Sequence, residues 1–329
     1  QGRMTHWDID RTSGGRVTVR DLLVDAERRL SGVGIESASV DAAEIIALVM
    51  GTTRSRLIMQ DVVDPDRRVR IEQLLTKRQS RIPLQHLTGS APFRRIEVQV
   101  GPGVFIPRPE TELVTEAGIR ELATSASRIA VDLCSGSGAI ALSLALEAPG
   151  STVYAVEVDD AAVSWTRQNV DGQVQALAAA HSRVVVVHDD ATRVADPGHA
   201  LVQLAGIVDV VVSNPPYIPN RMLPRDPEVR DHDPKRALYG GEDGLDIARG
   251  VLRTAAILLR PGGLLVIEHA DSQGTEAGDR GIPGLASAMV ADADLSLMVN
   301  LPAGSALWNR VTDRIDFNAR PRFTLARRA

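Results

Sequence analysis

Cysteine is nearly absent: Cys134 stands alone among 329 residues. One thiol makes no internal disulfide, and without a CxxC pair the chain has no thiolate zinc site. The seven histidines, at positions 6, 86, 181, 188, 199, 232 and 269, show neither HxxxH nor HExxH spacing. No metal site is therefore expected. Long apolar runs are missing too. No stretch of about 18 apolar residues predicts a membrane span, and no hydrophobic signal core follows the N-terminus. Together these absences predict a reducing, cytoplasmic setting. A strong charge of one sign is also lacking, since 37 basic and 42 acidic residues leave a net charge of −5. That disfavours a surface that tracks nucleic acid throughout, although a local basic patch stays compatible with it. Lysine is scarce: only Lys77 and Lys235 stand beside 35 arginines. This bias reads as genome-level codon usage rather than as nucleic-acid binding.

What is present suffices for a packed core. Apolar residues make up 44% of the chain, which excludes a disordered or collagen-like polymer. The length predicts one large domain, or a small domain with a larger one. Gln1-Gly2-Arg3 ahead of Met4 reads as a cloning remnant and is set aside.

Residues 4–85 read as a helical bundle that docks a partner. Thr18 and Asp21 fit a capping box before Leu22, Leu23, Ala26 and Leu30, with Gly32 and Gly34 as the stop. A second helix is expected over Ser39–Met50, with Ala43, Ile46, Ala47 and Met50 inward and Gly51 ending it. Asp64-Pro65 starts a third, carrying Ile71, Leu74, Leu75 and Arg78. The segment holds 13 basic and 12 acidic side chains and is nearly neutral. Residues 86–108, punctuated by Gly89, Pro92, Gly101, Pro102, Gly103 and Pro107, read as a linker with a β-hairpin.

Residues 109–329 alternate helical stretches with short β-branched runs. Strands are expected at Ile129–Leu133, Thr152–Val158, Arg183–His188, Val208–Ser213 and Leu264–Glu268. Such runs predict an α/β, Rossmann-like fold: a mainly parallel sheet with helices on both faces.

Two loops carry chemistry. The first, Cys134-Ser135-Gly136-Ser137-Gly138, follows a strand and opens a helix, where Gly136 and Gly138 permit close backbone approach and the helix start offers free N–H groups. Nineteen residues later Glu157 ends the next strand, and a carboxylate there can accept both hydroxyls of an adenosine ribose. This pair does not separate NAD from S-adenosylmethionine, and an ordinary glycine-rich turn offers the same residues. The second loop is Asn214-Pro215-Pro216-Tyr217, after the fourth strand. Prolines donate no hydrogen bond and stiffen the backbone. The Asn214 side-chain oxygen and the Pro215 carbonyl can each accept one N–H of a planar NH₂ group, with Tyr217 stacked on its face. A dinucleotide dehydrogenase would give this second loop no task.

The second loop resembles that of the S-adenosylmethionine-dependent amino-methyltransferases. Within that group the chain resembles the HemK/PrmC family of release factor glutamine methyltransferases. The marks are Phe105-Ile106-Pro107-Arg108-Pro109-Glu110-Thr111-Glu112, the run from Ala237 to Leu245, and Ser39 to Glu44 in the N-terminal segment. The resemblance implies a class I methyltransferase sheet behind a small helical domain. It implies methyl transfer from S-adenosyl-L-methionine, leaving S-adenosyl-L-homocysteine, to the glutamine amide nitrogen in the Gly-Gly-Gln loop of class 1 peptide chain release factors. It places the methionine end of the cofactor along Cys134–Gly138, the ribose on Glu157 and adenine near Asp190 and Ala191, with Asn214–Tyr217 as the catalytic loop. Phe105, Arg108 and Glu110 then border the cofactor or the incoming substrate; the alternatives are a structural salt-bridge role for Arg108 and Glu110 and a merely solvated strand end at His188-Asp189-Asp190. The chain departs from the pattern at Cys134, where the family usually has glycine, and between Gly274 and Arg320, where the match is loose. Arg320-Pro321-Arg322-Phe323 is similar to the family's closing strand. The competing readings are a DNA or RNA amino-methyltransferase using the same pocket, and a non-catalytic binding protein. Nucleic acid is not expected as substrate, given the −5 charge and no recognisable RNA-binding module.

Overall fold

The structure, a computed structural model, describes residues 17–329. Gln1-Gly2-Arg3 and the start of the expected bundle at Met4 lie outside the described residues. Two compact units are present, meeting in sequence at Gly89 and Ser90.

The first unit holds helices Val19–Gly32, Ala38–Met50, Pro65–Gln79 and Leu84–Thr88. The Thr18–Asp21 capping box forms in both directions, and Asp64 caps the third helix through the Arg67 N–H. Leu30, Ile45, Ile46, Ile71 and Leu75 fill its core. Ile46, Ala47 and Met50 face inward as expected, but Ala42 and Ile45 take the buried positions while Ala43 is half-buried. The inward face also encloses an ion pair, Asp41 with Arg78 at 2.7 Å.

The expected linker over 86–108 is divided in the structure. Leu84–Thr88 closes the first unit, and the antiparallel hairpin β1 (Ser90–Phe93) and β2 (Ile96–Gln99) belongs to the second. The alternation that predicts the hairpin explains this, because Ala91, Phe93, Val98 and Val100 are its buried residues and pack into the core of the second unit.

That unit is built on β3 (Ile129–Leu133), β4 (Thr152–Glu157), β5 (Arg183–His188), β6 (Val208–Ser213), β7 (Leu259–Glu268), β8 (Trp308–Ile315) and β9 (Pro321–Arg328). Their spatial order is β5-β4-β3-β6-β7-β9-β8. The first five run parallel, while β9 and β8 are antiparallel additions at one edge. Every residue of β6 is buried, as a central strand covered on both faces requires. One apolar cluster lies on each face of the sheet. β7 begins five residues earlier than expected, at Leu259, with a register irregularity opposite Val208 and Val210.

The register sets up the site. Leu133 pairs with Val156 on one side and Ser213 on the other, Ser213 pairs with Ile267, and Glu157 pairs with His188. The loops after β3, β4, β5, β6 and β7 therefore leave the sheet at one level. The chain changes direction between β3 and β6, the position where open α/β sheets bind ligands.

Candidate active site

A cavity of about 350 Å³ opens at this edge. Its walls include Cys134, Ser135, Gly136, Ser137, Glu157, Asp190, Ala191, Asn214, Pro216 and Tyr217, with Phe105 and Arg108 at the border. Three of the expected residues, Gly138, Pro215 and Glu110, are not on the cavity wall. Gly138 instead opens the helix Ala139–Glu147 with φ of +81°, and a Cβ there would lie 2.9 Å from the Thr166 methyl. Pro215 is buried beside the wall residues.

The first loop is tight. Cys134 takes φ of +66°, a left-handed conformation that suits glycine, so the departure from the family's usual residue falls at a strained backbone position. Burial pushes the Cys134 thiol well above its ordinary range, and the charges of Glu157 and Asp132 push the same way. Glu157 is held by the backbone: its Oε2 accepts from the Gly136 N–H at 2.9 Å, and its Oε1 from the N–H groups of Val158 and Asp159 at 2.9 and 3.0 Å. A carboxylate offers about four acceptor sites, and with three of them taken one remains for a ribose hydroxyl. Asp190 turns its Oδ1 to the Thr192 N–H and hydroxyl. The Ser135 hydroxyl is buried without a hydrogen-bond partner at the cavity wall. That orphaned polar atom, the Glu157 acceptors and an open face at Gly136 fit a polar nucleoside ligand with an amino-acid tail.

In the second loop the Asn214 amide nitrogen donates to the Thr111 hydroxyl at 3.2 Å, which leaves its oxygen free to accept. The Tyr217 carbonyl accepts from the Gln273 amide at 3.1 Å. Burial, and then the charge of Glu268, push the Tyr217 phenol upward, so it stays protonated. The Ala237–Leu245 segment packs directly against this loop. Ile218 donates to the Leu238 carbonyl, Gly240 to Ile218, and Asn220 to Gly241, each at 2.9 Å. A Cβ on Gly240 would sit 2.4 Å from the Pro216 carbonyl oxygen; close backbone approach accounts for its glycine. At the rim, Arg108 pairs with Asp233 at 2.7 Å and lies 4.9 Å from the Phe105 ring centroid.

Sequence reasoning missed Asp132, Thr111, Asp233, Glu268 and Gln273 as parts of this site. Asp132 is fully buried at the end of β3, and burial pushes its pKa up to about 8. Glu268, 2% exposed at the end of β7, is pushed up to about 7 by burial. Both stand one register step from loops already singled out, which is the available signal.

Two family models match the chain: "PrmC N-terminal domain" over residues 21–89 and "Methyltransferase small domain" over residues 95–222. A release factor glutamine methyltransferase from Streptomyces coelicolor is 43% identical over 310 residues, covering 93% of this chain and 97% of that protein. The chain belongs to the release factor glutamine methyltransferase family. Another member, from Mycolicibacterium smegmatis, is 38% identical over 94% of this chain and 98% of its own length. Among solved structures, a methyltransferase from Pyrococcus furiosus aligns with a TM-score of 0.45 and 18% identity, covering 77% of this chain and 98% of that one. Membership carries the methyltransferase fold expected from the sequence. Among the described residues no cluster of His, Cys, Asp and Glu is arranged to hold a metal ion, and no helix is long and apolar enough to cross a membrane.

Proposed function

We propose that this protein methylates the side-chain amide nitrogen of the glutamine in the Gly-Gly-Gln loop of class 1 peptide chain release factors, in the cytoplasm, with S-adenosyl-L-methionine as donor. The observation that carries the reading is the Asn214 amide. Its nitrogen is committed to Thr111, so its oxygen serves as an acceptor in the cavity.

The donor's sulfonium supplies an already activated methyl group, and S-adenosyl-L-homocysteine is the product. Cys134 to Ser137 and Gly138 would hold its methionine end, Glu157 its ribose, and Asp190 with Ala191 its adenine. The protein's own task is alignment, which can be worth roughly 7–11 kcal/mol in favourable cases. An amide nitrogen is a poor nucleophile because its lone pair is delocalised into the carbonyl. The Asn214 oxygen accepts one N–H of the substrate amide, and the buried Pro215 keeps the loop stiff behind it. The Pro216 and Tyr217 surfaces confine the amide plane. No residue of this loop is a base, so the proton leaves the nitrogen after methylation. Phe105 and Arg108 border the entry. The helical unit over residues 17–89 docks the release factor, and its exposed Ile58 and Met59 offer apolar surface for a protein.

The test offers labelled S-adenosylmethionine with release factor, tRNA, rRNA and DNA in separate reactions. Label on the release factor is the expected result. Label on nucleic acid alone overturns the reading in favour of a nucleic-acid amino-methyltransferase.

A further inference from the structure

Gln273 closes a short helical turn, Asp271–Gln273, that follows β7, and its side chain is buried. Both ends of its amide are used. The Oε1 accepts the Ala270 N–H at 3.1 Å, and the Nε2 donates to the Tyr217 carbonyl at 3.1 Å. The Gln273 backbone N–H also donates to the Ala270 carbonyl at 2.9 Å, so main chain and side chain grip the same residue. Only one orientation of the amide satisfies these partners, because the Ala270 N–H needs an acceptor and the Tyr217 carbonyl needs a donor. Gln273 therefore presents an N–H in a fixed direction.

The loop it meets is short of donors. β6 ends at Ser213, paired with Ile267 of β7, and Asn214-Pro215-Pro216-Tyr217 leaves the sheet there. Prolines have no N–H, so two of the four loop residues cannot anchor it by donating. At the near end Thr111 holds the Asn214 side chain at 3.2 Å. At the far end Ile218 donates to the Leu238 carbonyl, and a Cβ on Gly244 would collide with the Tyr217 carbonyl oxygen. The Ala237–Leu245 segment thus packs against the Tyr217–Ile218 peptide, while Gln273 satisfies its carbonyl from the loop after β7. Loops leaving two neighbouring strands are tied by one buried side chain, across 56 positions of sequence.

We propose that Gln273 is a positioning residue for methyl transfer: by holding the Tyr217 carbonyl it fixes the end of the Asn214–Tyr217 loop, and with it the Pro216 and Tyr217 surfaces that confine the substrate amide. The proposal rests on the glutamine-methylation reading, which gives those surfaces their task.

The experiment compares Gln273→Met and Gln273→Glu with wild type at about pH 8.5, where a carboxyl group is ionised. Methionine fills the space with no amide to donate. Glutamate keeps the shape and an acceptor for the Ala270 N–H, but turns a carboxylate oxygen toward the Tyr217 carbonyl. Tyr217-Ile218 is the only Tyr-Ile pair in the chain, so protein carrying ¹³C in the tyrosine carbonyl and ¹⁵N in isoleucine gives one correlated signal from this peptide. Each variant should move that carbonyl signal upfield, as loss of a hydrogen bond does. Each should also lower kcat on release factor about tenfold or more through the misplaced loop, with the release factor KM and the S-adenosylmethionine dissociation constant within about twofold. The glutamate variant should be no faster than the methionine one, although it resembles glutamine more closely; packing alone predicts the opposite order. An unmoved carbonyl signal, near-wild-type kcat in the methionine variant, a faster glutamate variant, or binding constants that weaken as far as kcat falls would each overturn the proposal. If wild type itself does not label release factor, both readings fall together. Labelling by wild type with unaffected variants overturns only this one.

Discussion

Asp132 makes the second unit's stability depend on pH in a way that can be calculated. The side chain is fully buried, its Oδ2 accepts the Ala141 N–H at 3.1 Å, and its Oδ1 has no partner. Burial raises its pKa from 3.8 to about 8; the Glu157 charge adds to the rise and the Ala141 hydrogen bond opposes it. Below the unfolded value both states hold the proton. Between the two values the unfolded chain releases it while the folded one keeps it, so stability falls as pH rises. Each pH unit inside that window costs about 1.4 kcal/mol. From pH 5 to pH 7 the loss is therefore about 2.7 kcal/mol. Asp132→Asn keeps the shape and an acceptor for Ala141 but does not titrate. Urea unfolding of both proteins, followed by fluorescence of Trp165 and Trp308 in this unit, measures the difference at each pH. The variant should gain about 2.7 kcal/mol on wild type between pH 5 and pH 7. A gap that stays constant across that interval would show that Asp132 is charged in the folded protein and refute the reasoning.

Asn214→Ala should abolish measurable methyl transfer while leaving S-adenosylmethionine affinity within about threefold, since it removes a group meeting the substrate rather than the cofactor; calorimetry and turnover assays separate the two. Gly240→Ala forces a methyl toward the Pro216 carbonyl oxygen, 2.4 Å away. It should lower thermal stability by about 1–3 kcal/mol and slow turnover through the displaced loop. Cys134, whose thiol is pushed well up by burial and by the Glu157 and Asp132 charges, should resist iodoacetamide at neutral pH in the folded protein and react freely in urea.

Most of the parallel sheet was legible because buried parallel strands are short β-branched runs. Ile129–Leu133, Arg183–His188 and Val208–Ser213 end where the structure ends them. Leu259–Glu268 begins earlier than its apolar run because Arg260–Gly263 continue the strand without apolar side chains. The Asn214 and Glu157 loops stood out since their residue types are unusual at strand ends. Gly138 and Pro215 were equally visible, yet their places off the cavity wall depend on the turn of one loop and the packing of another. Thr111 was visible only as part of a run of residues. Its role arises from contact with Asn214, 103 positions away, and no local pattern encodes that. Asp132 and Glu268 look like ordinary strand-end acids until the sheet closes over them. Cys134 is the reverse case: its identity was conspicuous, but the left-handed backbone that explains the usual glycine appears only in the structure.

The central claim is chemical, and peptide mass spectrometry tests it directly. Release factor incubated with this protein and S-adenosylmethionine should gain the mass of one methylene on the peptide carrying Gly-Gly-Gln, with fragmentation placing it on the glutamine side chain. A release factor with that glutamine changed should gain nothing. Methylation elsewhere on the factor, or gain that persists after the glutamine is replaced, would contradict the account.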